Sequence, residues 1–297
     1  MYRGPLFDLL DPGATVYAKN RERDIDQGSL RWPGLIGGRL GHFLLNTIGG
    51  NRDRLGAPTV YMGRSKLETL LGAEIWTLIR DKAVLDFGCG DGGDAVAMAK
   101  HGARRVIGLD IRENILNAAR LTANQEGVQD RCVFTTTTTE KVDVVVSMDG
   151  FEHYADPMGV LHTMRALLRE DGVALVSFGP PWFHPLGGHL FSVFPWAHLL
   201  FTERSLIRWR SQFKSDGARR FSEVAGGLNQ MTIRRFERLL RHSDFSVGTF
   251  EAVPIRQARL FHGVLTREFL TAVVRCRLRP RASSAQYAAE PARVGVA

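Results

Sequence analysis

A chain of 297 residues is about twice the usual single-domain length, room for two domains or one enlarged α/β domain. With 44% hydrophobic and 24% charged residues it is globular in composition, which excludes collagen-like, wholly disordered and disulfide-scaffold chains. The net charge of +8 raises the question of a nucleic-acid partner, but five arginines from Arg275 onward against Glu290 alone supply +4 of it, so a solvated tail accounts for half.

In chain order, residues 1–75 come first, rich in Gly and Arg, with a weak helical pattern from Lys66 to Arg80. They carry no basic stretch leading into an apolar run, so no export signal is predicted, and cytoplasmic residence is the expectation. They are read as an N-terminal cap. From 76 to 276 short apolar runs alternate with helix-period segments, the pattern of βαβ units around a mainly parallel sheet. Strands are predicted at Ala83 to Phe87, Arg105 to Leu109, Arg131 to Thr135, Val142 to Ser147, Val173 to Phe178, Phe245 to Glu251 and Phe269 to Cys276. Helices are predicted at Asp94 to Lys100, Arg112 to Glu126, Pro157 to Leu168 and Thr232 to Arg241, the last with Ile233, Phe236, Leu239 and Leu240 on one stripe. No helix fits between the final two strands, so they should pair as an antiparallel hairpin. The fold class is therefore α/β, Rossmann-like, with a seven-stranded, mostly parallel sheet whose last strand is antiparallel.

The most informative stretch is VLDFGCGDGGDAVAMAKHGARRVIGLDI, Val84 to Ile111. An apolar strand ends in Gly88, Cys89, Gly90, Asp91, Gly92 and Gly93, a helix and a second strand follow, and Asp110 closes the unit. Glycines let the backbone turn tightly and let a ligand approach without meeting a Cβ. An acid at the end of the second strand can accept both hydroxyls of a ribose. Charge then separates two cofactor classes. A dinucleotide would bring a diphosphate to the helix start, where Asp86, Asp91 and Asp94 crowd the turn, and like charges about 4 Å apart repel by ~4 kcal/mol at an effective dielectric near 20. A sulfonium and an ammonium would be welcome there.

LDFGCGDGG followed by GLD resembles the first two motifs of class I S-adenosylmethionine-dependent methyltransferases, and VDVVVSMDGFEHYADP resembles the fourth strand and following loop of their small-molecule branch. The resemblance implies S-adenosyl-L-methionine as cofactor. Asp86 and the backbone of Gly88, Cys89, Gly90 and Gly92 would hold its methionine portion, Asp110 the ribose and Ile111 the adenine face, with Met148 and Asp149 completing the site. It also implies that the loop carrying His153 lies beside the sulfonium.

Methyl transfer is an in-line displacement that needs alignment and exclusion of water, and a base helps where the nucleophile has a proton to lose. His153 is the first candidate base, with Glu152 a weaker rival and His189 and His184 as alternatives. The last two lie in a segment, 179–230, that leaves the sheet after the fifth strand and is read as a substrate cap. Its Trp182, Phe183 and Trp196 are candidate walls of an apolar pocket, or part of the cap's own core. Apolar surface in LFSVFPWAHLLF is open to three readings: pocket wall, dimer contact or patch for a lipid-like substrate. No metal site is predicted, since Glu152, His153, His184 and His189 have no fixed ligand spacing. Cys89, Cys132 and Cys276, odd in number and widely spaced, predict reduced thiols. No uncharged apolar run is long enough to span a bilayer, and residues 277–297 should form a disordered basic tail. The expected activity is methylation of a small apolar or aromatic acceptor, first of all at oxygen. Nitrogen or carbon acceptors, a tRNA or rRNA substrate, donor binding without chemistry and an NAD-dependent oxidoreductase are the alternatives, and nucleic acid is not the expected partner.

Overall fold

The computed structural model describes residues 34–50, 65–188, 191–224 and 226–281. Its centre is a seven-stranded sheet in the order β3-β2-β1-β4-β5-β7-β6. The strands are β1 (Ala83–Phe87), β2 (Arg105–Leu109), β3 (Cys132–Thr135), β4 (Val142–Met148), β5 (Leu168–Phe178), β6 (Phe245–Pro254) and β7 (Thr271–Pro280). β1 to β5 pair in parallel, and β7 runs antiparallel to both β5 and β6.

The period of two along each strand divides the core. Leu85, Ile107, Val145 and Val176 face one side, where the helices at Pro157–Leu167 (α6) and Ile233–His242 (α9) supply Leu161, Met164, Phe236 and Leu240. Val84, Val106, Val144 and Leu175 face the other. There Gly93–Lys100 (α4) and Glu113–Gln125 (α5) add Ala95, Met98, Leu116 and Ala119. β1 is buried along its whole length, as expected for a central parallel strand covered on both faces.

Several boundaries fall elsewhere than the sequence indicates: β5 starts at Leu168 and not Val173, β6 runs on from Glu251 to Pro254, and two larger differences lie at the ends of the domain. Lys66–Leu71 (α2) and Ile75–Ile79 (α3) are separate short helices, broken at Gly72 with φ +93, and Leu67, Leu70, Ile75 and Ile79 belong to the second core. So residues 66–75, inside the segment read as a cap, pack under the sheet. At the other end, β7 starts at Thr271, after the short helix Arg267–Leu270 (α10), and runs past Cys276 to Pro280. The reason is alternation: Val274, Cys276 and Leu278 point inward, while Arg275 and Arg277 point out and pair with Glu251 at 2.8 Å and Glu74 at 3.4 Å. Those arginines, counted with the tail on composition, are strand residues. Residues 282–297 lie outside the described residues.

The segment after β5 folds with Gly38–Ile48 (α1) into one unit that has its own core. Leu45 of α1 shares that core with Trp182, Phe191, Phe201, Leu206, Trp209, Phe221 and Val224. Leu206 and Trp209 lie on Glu203–Arg210 (α8), which follows the single turn Ala197–Leu200 (α7). Backbone bonds from Leu35 and Ile36 to the Leu200 carbonyl, both 2.8 Å, close the joint. Among the described residues no helix is long and apolar enough to cross a membrane.

Candidate active site

The site forms where β1, β2 and β4 end. Beyond Phe87 the chain turns through Gly88, Gly90 and Gly92, at φ +82, +54 and +79, a region that costs a side-chain-bearing residue roughly 1 kcal/mol or more. Gly88 and Cys89 donate to the Leu109 carbonyl at 2.8 and 3.1 Å, and Gly90 donates to Asp110 Oδ2 at 3.1 Å, so the turn is tied to the end of β2. The glycines have different jobs. A Cβ on Gly92 would lie 2.6 Å from Ala119 Cβ and 2.8 Å from the Phe134 ring, whereas a Cβ on Gly90 would meet nothing within 4 Å. Gly92 lets helix and sheet pack; Gly90 leaves backbone open to an approaching molecule.

Carboxylates gather around this turn. Asp86, next to last in β1, is 3% exposed, and its Oδ2 has no hydrogen-bond partner among the described residues. Burial, with help from Asp94, Asp110 and Asp91 and against Lys66, pushes its pKa up to about 8. Asp110 is also buried. Burial alone would raise it, but Arg112, bonded to it through its backbone N-H, Nε and Nη2 at 3.0 Å each, holds it below the ordinary range. With Gly90 N-H, that makes four donors on one carboxylate. Ile111 beside it is 73% exposed. Cys89 and Met148 are buried, and Asp149 follows β4 at φ +50. Burial pushes the Asp149 carboxyl up, against the pull of Lys66 and His153.

Lys66, which carried no signal in the sequence, reaches this cluster from the first turn of α2. Its Nζ lies 3.4 Å from Asp94 and 3.3 Å from Asp149. Burial works against its charge, but the two carboxylates outweigh it and keep Lys66 firmly protonated.

The loop after β4 is held by residues distant in sequence. Tyr154 donates to the Phe87 carbonyl at 3.1 Å and pairs with Ser147 Oγ at 3.0 Å, and its hydroxyl occupies the space a Cβ on Gly150 would need. Asn229 donates to the carbonyls of Phe151 and Tyr154 at 2.6 and 2.7 Å. Glu152 is buried; its Oε1 accepts from Gly179 N-H at 3.0 Å, its Oε2 has no partner among the described residues, and burial with the nearby Asp149 lifts it to about 8.

His153 Nδ1 is 2.8 Å from the Gly227 carbonyl. A carbonyl only accepts, so Nδ1 carries the hydrogen and the lone pair of the neutral ring sits on Nε2. His184 has the opposite arrangement: its Nδ1 accepts from Leu186 N-H at 2.9 Å, which places the ring hydrogen on Nε2. His189 lies outside the described residues. Trp182 is buried in the cap core, its ring edge-on to His198 at 4.5 Å and Phe221 at 5.5 Å. His198 bonds the Trp182 carbonyl, and burial pushes it down to about 4, so it stays neutral inside that core. Phe183 stacks obliquely on Phe269 at 5.4 Å, and Trp196, 36% exposed, donates to the Phe183 carbonyl at 3.0 Å. Of LFSVFPWAHLLF, Phe191, Ala197, His198 and Phe201 are buried in the cap. Cys89, Cys132 and Cys276 are free thiols, and among the described residues no group of His, Cys, Asp and Glu could hold a metal ion.

This strand order, with β7 alone reversed, a glycine turn after β1 and an acid after β2, is the Rossmann-like architecture of class I S-adenosylmethionine-dependent methyltransferases. The model of the methyltransferase domain family matches residues 63–249, and the chain belongs to that family. Curated relatives include the ubiquinone biosynthesis O-methyltransferase of Histophilus somni, 38% identical over 109 residues. That match covers 33% of this chain and 45% of the relative. The protein of the same name from Haemophilus ducreyi is 40% identical over 106 residues, 32% of this chain and 44% of that one. The matched part therefore spans less than half the length of these relatives. Among solved structures, an S-adenosylmethionine-dependent methyltransferase from Mesorhizobium loti superposes with a TM-score of 0.47 at 17% identity, over 68% of this chain and 92% of that one.

Proposed function

We propose that the protein transfers the methyl group of S-adenosyl-L-methionine to a hydroxyl oxygen of a small, apolar or aromatic acceptor. The observation that carries this reading is the orphaned Oδ2 of Asp86, buried at the foot of a turn that Gly90 leaves open. A buried polar atom without a partner is costly, and a cationic ligand would relieve both the missing bond and the surplus of carboxyl groups. The residues present thus fit the donor. Asp86 and the Gly88 to Gly92 backbone would hold its methionine end, Asp110 its ribose and the exposed Ile111 its adenine face.

When bound, S-adenosylmethionine supplies a methyl group on a sulfonium. Asp86, Asp110 and the Gly88 to Gly92 backbone would hold it to give that methyl to the acceptor oxygen and keep the electron pair of the broken bond as a neutral thioether. The hydroxyl proton goes to Nε2 of His153, and the imidazolium is stabilised by Asp149 and by the Gly227 carbonyl on Nδ1. Oxygen is favoured over nitrogen or carbon because a hydroxyl has a proton to lose to a positioned base, and because the curated relatives are named as O-methyltransferases. His153 is read as the base because its loop follows β4 at the edge of the sheet that carries the glycine turn, while Nδ1 of His184 is tied to Leu186 N-H within the cap. Phe183 and Trp196, with their partly exposed rings, would line the acceptor's path, while Trp182 holds the cap together.

The test is release of S-adenosylhomocysteine from the purified protein with a panel of phenols and catechols, and mass spectrometry of the products. Methylated oxygen is expected, with His153→Ala lowering kcat by about 10² to 10⁴ while donor binding persists. Turnover unchanged in that variant would refute the base; methylation at nitrogen or carbon would refute the choice of atom.

A further inference from the structure

The loop joining β6 to β7 exposes more apolar surface than any other described part of the molecule. Leu260 is 95% exposed, Leu265 89%, Val264 83% and Phe261 73%, and the 3₁₀ turn Arg256–Phe261 buries nothing. The loop is nevertheless held in shape. Ile255 N-H bonds the Leu270 carbonyl at 2.8 Å, His262 Nε2 meets Thr271 Oγ1 at 2.9 Å, and Arg267 grips Glu237 through two contacts of 2.8 Å. Glu268 beneath it accepts the backbone N-H groups of Ile233 and Arg234 at 3.0 and 2.9 Å. Four large apolar side chains are thus presented to solvent on a braced frame, a cost in solubility that asks for an occupant.

Charge says which. Between Glu251 and Glu268 the chain has no acid, while Arg256 and Arg259 are exposed beside the apolar tip. A second copy docking two-fold would set those arginines against themselves. An anionic lipid surface satisfies both features at once, since apolar side chains enter the acyl boundary while arginines stay among the headgroups. β6 is parallel to β5, so this loop leaves the same edge of the sheet as the glycine turn and the His153 loop, and its base touches the cap through Phe269 and Phe183. We propose that residues 255–266 dock the protein on a bilayer carrying anionic lipid, with the site edge of the sheet toward the membrane. On the methyltransferase reading, this would present the cap to acceptors dissolved in the bilayer.

Flotation of the full chain with vesicles tests it, without donor or acceptor. Binding is expected to phosphatidylcholine vesicles that contain phosphatidylglycerol, weaker with added salt and with phosphatidylcholine alone. L260D/L265D should lower the partition at least about a hundredfold, and R256Q/R259Q about thirtyfold, with circular dichroism unchanged since all four side chains are exposed. No flotation of the wild type, or flotation of L260D/L265D equal to it, overturns the proposal. So does a wild type that scatters light as a dimer and an L260D/L265D variant that scatters as a monomer yet floats as well, which would make the loop a contact between copies. Because methyl transfer is not read out, failure here leaves the proposed activity standing, and an inactive protein that still floats separates the two in the other direction.

Discussion

Replacing Asp86 by Asn tests the electrostatic core of the site. Its pKa stands at about 8 against 3.8 for a free side chain. At ~1.4 kcal/mol per pH unit, the ionised form is roughly 5 to 6 kcal/mol less favourable in the ligand-free fold than in water. Between those two values the native chain holds a proton that the unfolded chain has released. The stability this group contributes is therefore complete below pH ~4 and falls by ~1.4 kcal/mol per unit until the pH passes about 8. Asparagine keeps the shape of the protonated carboxyl and does not titrate. In urea unfolding, Asp86→Asn should gain about 4 kcal/mol on the wild type between pH 5 and pH 8. Glu152 titrates in the same window but is common to both proteins, so it cancels in the difference.

The same carboxyl makes the opposite prediction for binding. A cationic donor should ionise Asp86, so binding at pH 7 should release close to one proton, seen as a calorimetric enthalpy that varies with the ionisation enthalpy of the buffer. Affinity should rise from pH 6 to pH 8. Asp86→Asn should bind S-adenosylmethionine about 10- to 100-fold more weakly and release no proton. Parallel stability curves for the two proteins would mean Asp86 is already ionised in the free fold, and a buffer-independent enthalpy with unchanged affinity would remove it from the donor site.

Gly92→Ala should destabilise the fold by about 2 to 4 kcal/mol, from overpacking against Ala119 and Phe134 and from its φ. Gly90→Ala should cost only about 1 kcal/mol yet weaken S-adenosylhomocysteine binding more than tenfold; similar effects from the two alanines, in paired urea melts and titrations, would refute the division of roles. Arg112→Ala frees two of the four acceptor positions on Asp110, so donor affinity should hold or rise a few-fold, and a tenfold fall would mean that Arg112 itself contacts the ligand.

The central strands and the glycine turn were legible because local chemistry decides them. Runs such as AVLDF and VDVVVSM suit only a strand buried on both faces, and Gly88, Gly90 and Gly92 take φ values that other residues avoid. What escaped the sequence arrives from far along the chain. Lys66 joins Asp94 and Asp149 across 28 and 83 residues, and Asn229 and Gly227 fix the His153 loop from the far end of the cap segment. No periodicity marks a single polar residue whose partner is set by topology. The cap illustrates the other limit: its density of rings identified an apolar cluster, but composition does not tell whether Trp182 faces a pocket or, as here, Phe221 and His198. β7 overran its expected end because RCRLRP reads as charge, while its alternate residues Cys276 and Leu278 are core.

The neutralisation pattern around the turn supports the proposal that a cationic ligand binds there. Arg112 compensates Asp110, and Lys66 lies between Asp94 and Asp149. Asp86 is left over, the most deeply buried of the set, and it stays neutral in the ligand-free fold only by keeping its proton. An incoming diphosphate would find Asp94 in the first turn of α4 and Asp91 just before it, and would have to compete with carboxylates for the same two basic side chains. A ligand bearing an ammonium and a sulfonium instead replaces a bound proton with a positive charge that the site is already short of. On the proposed reading, selection between the two cofactor classes rests less on the glycines, which serve either, than on one uncompensated carboxyl near the end of β1.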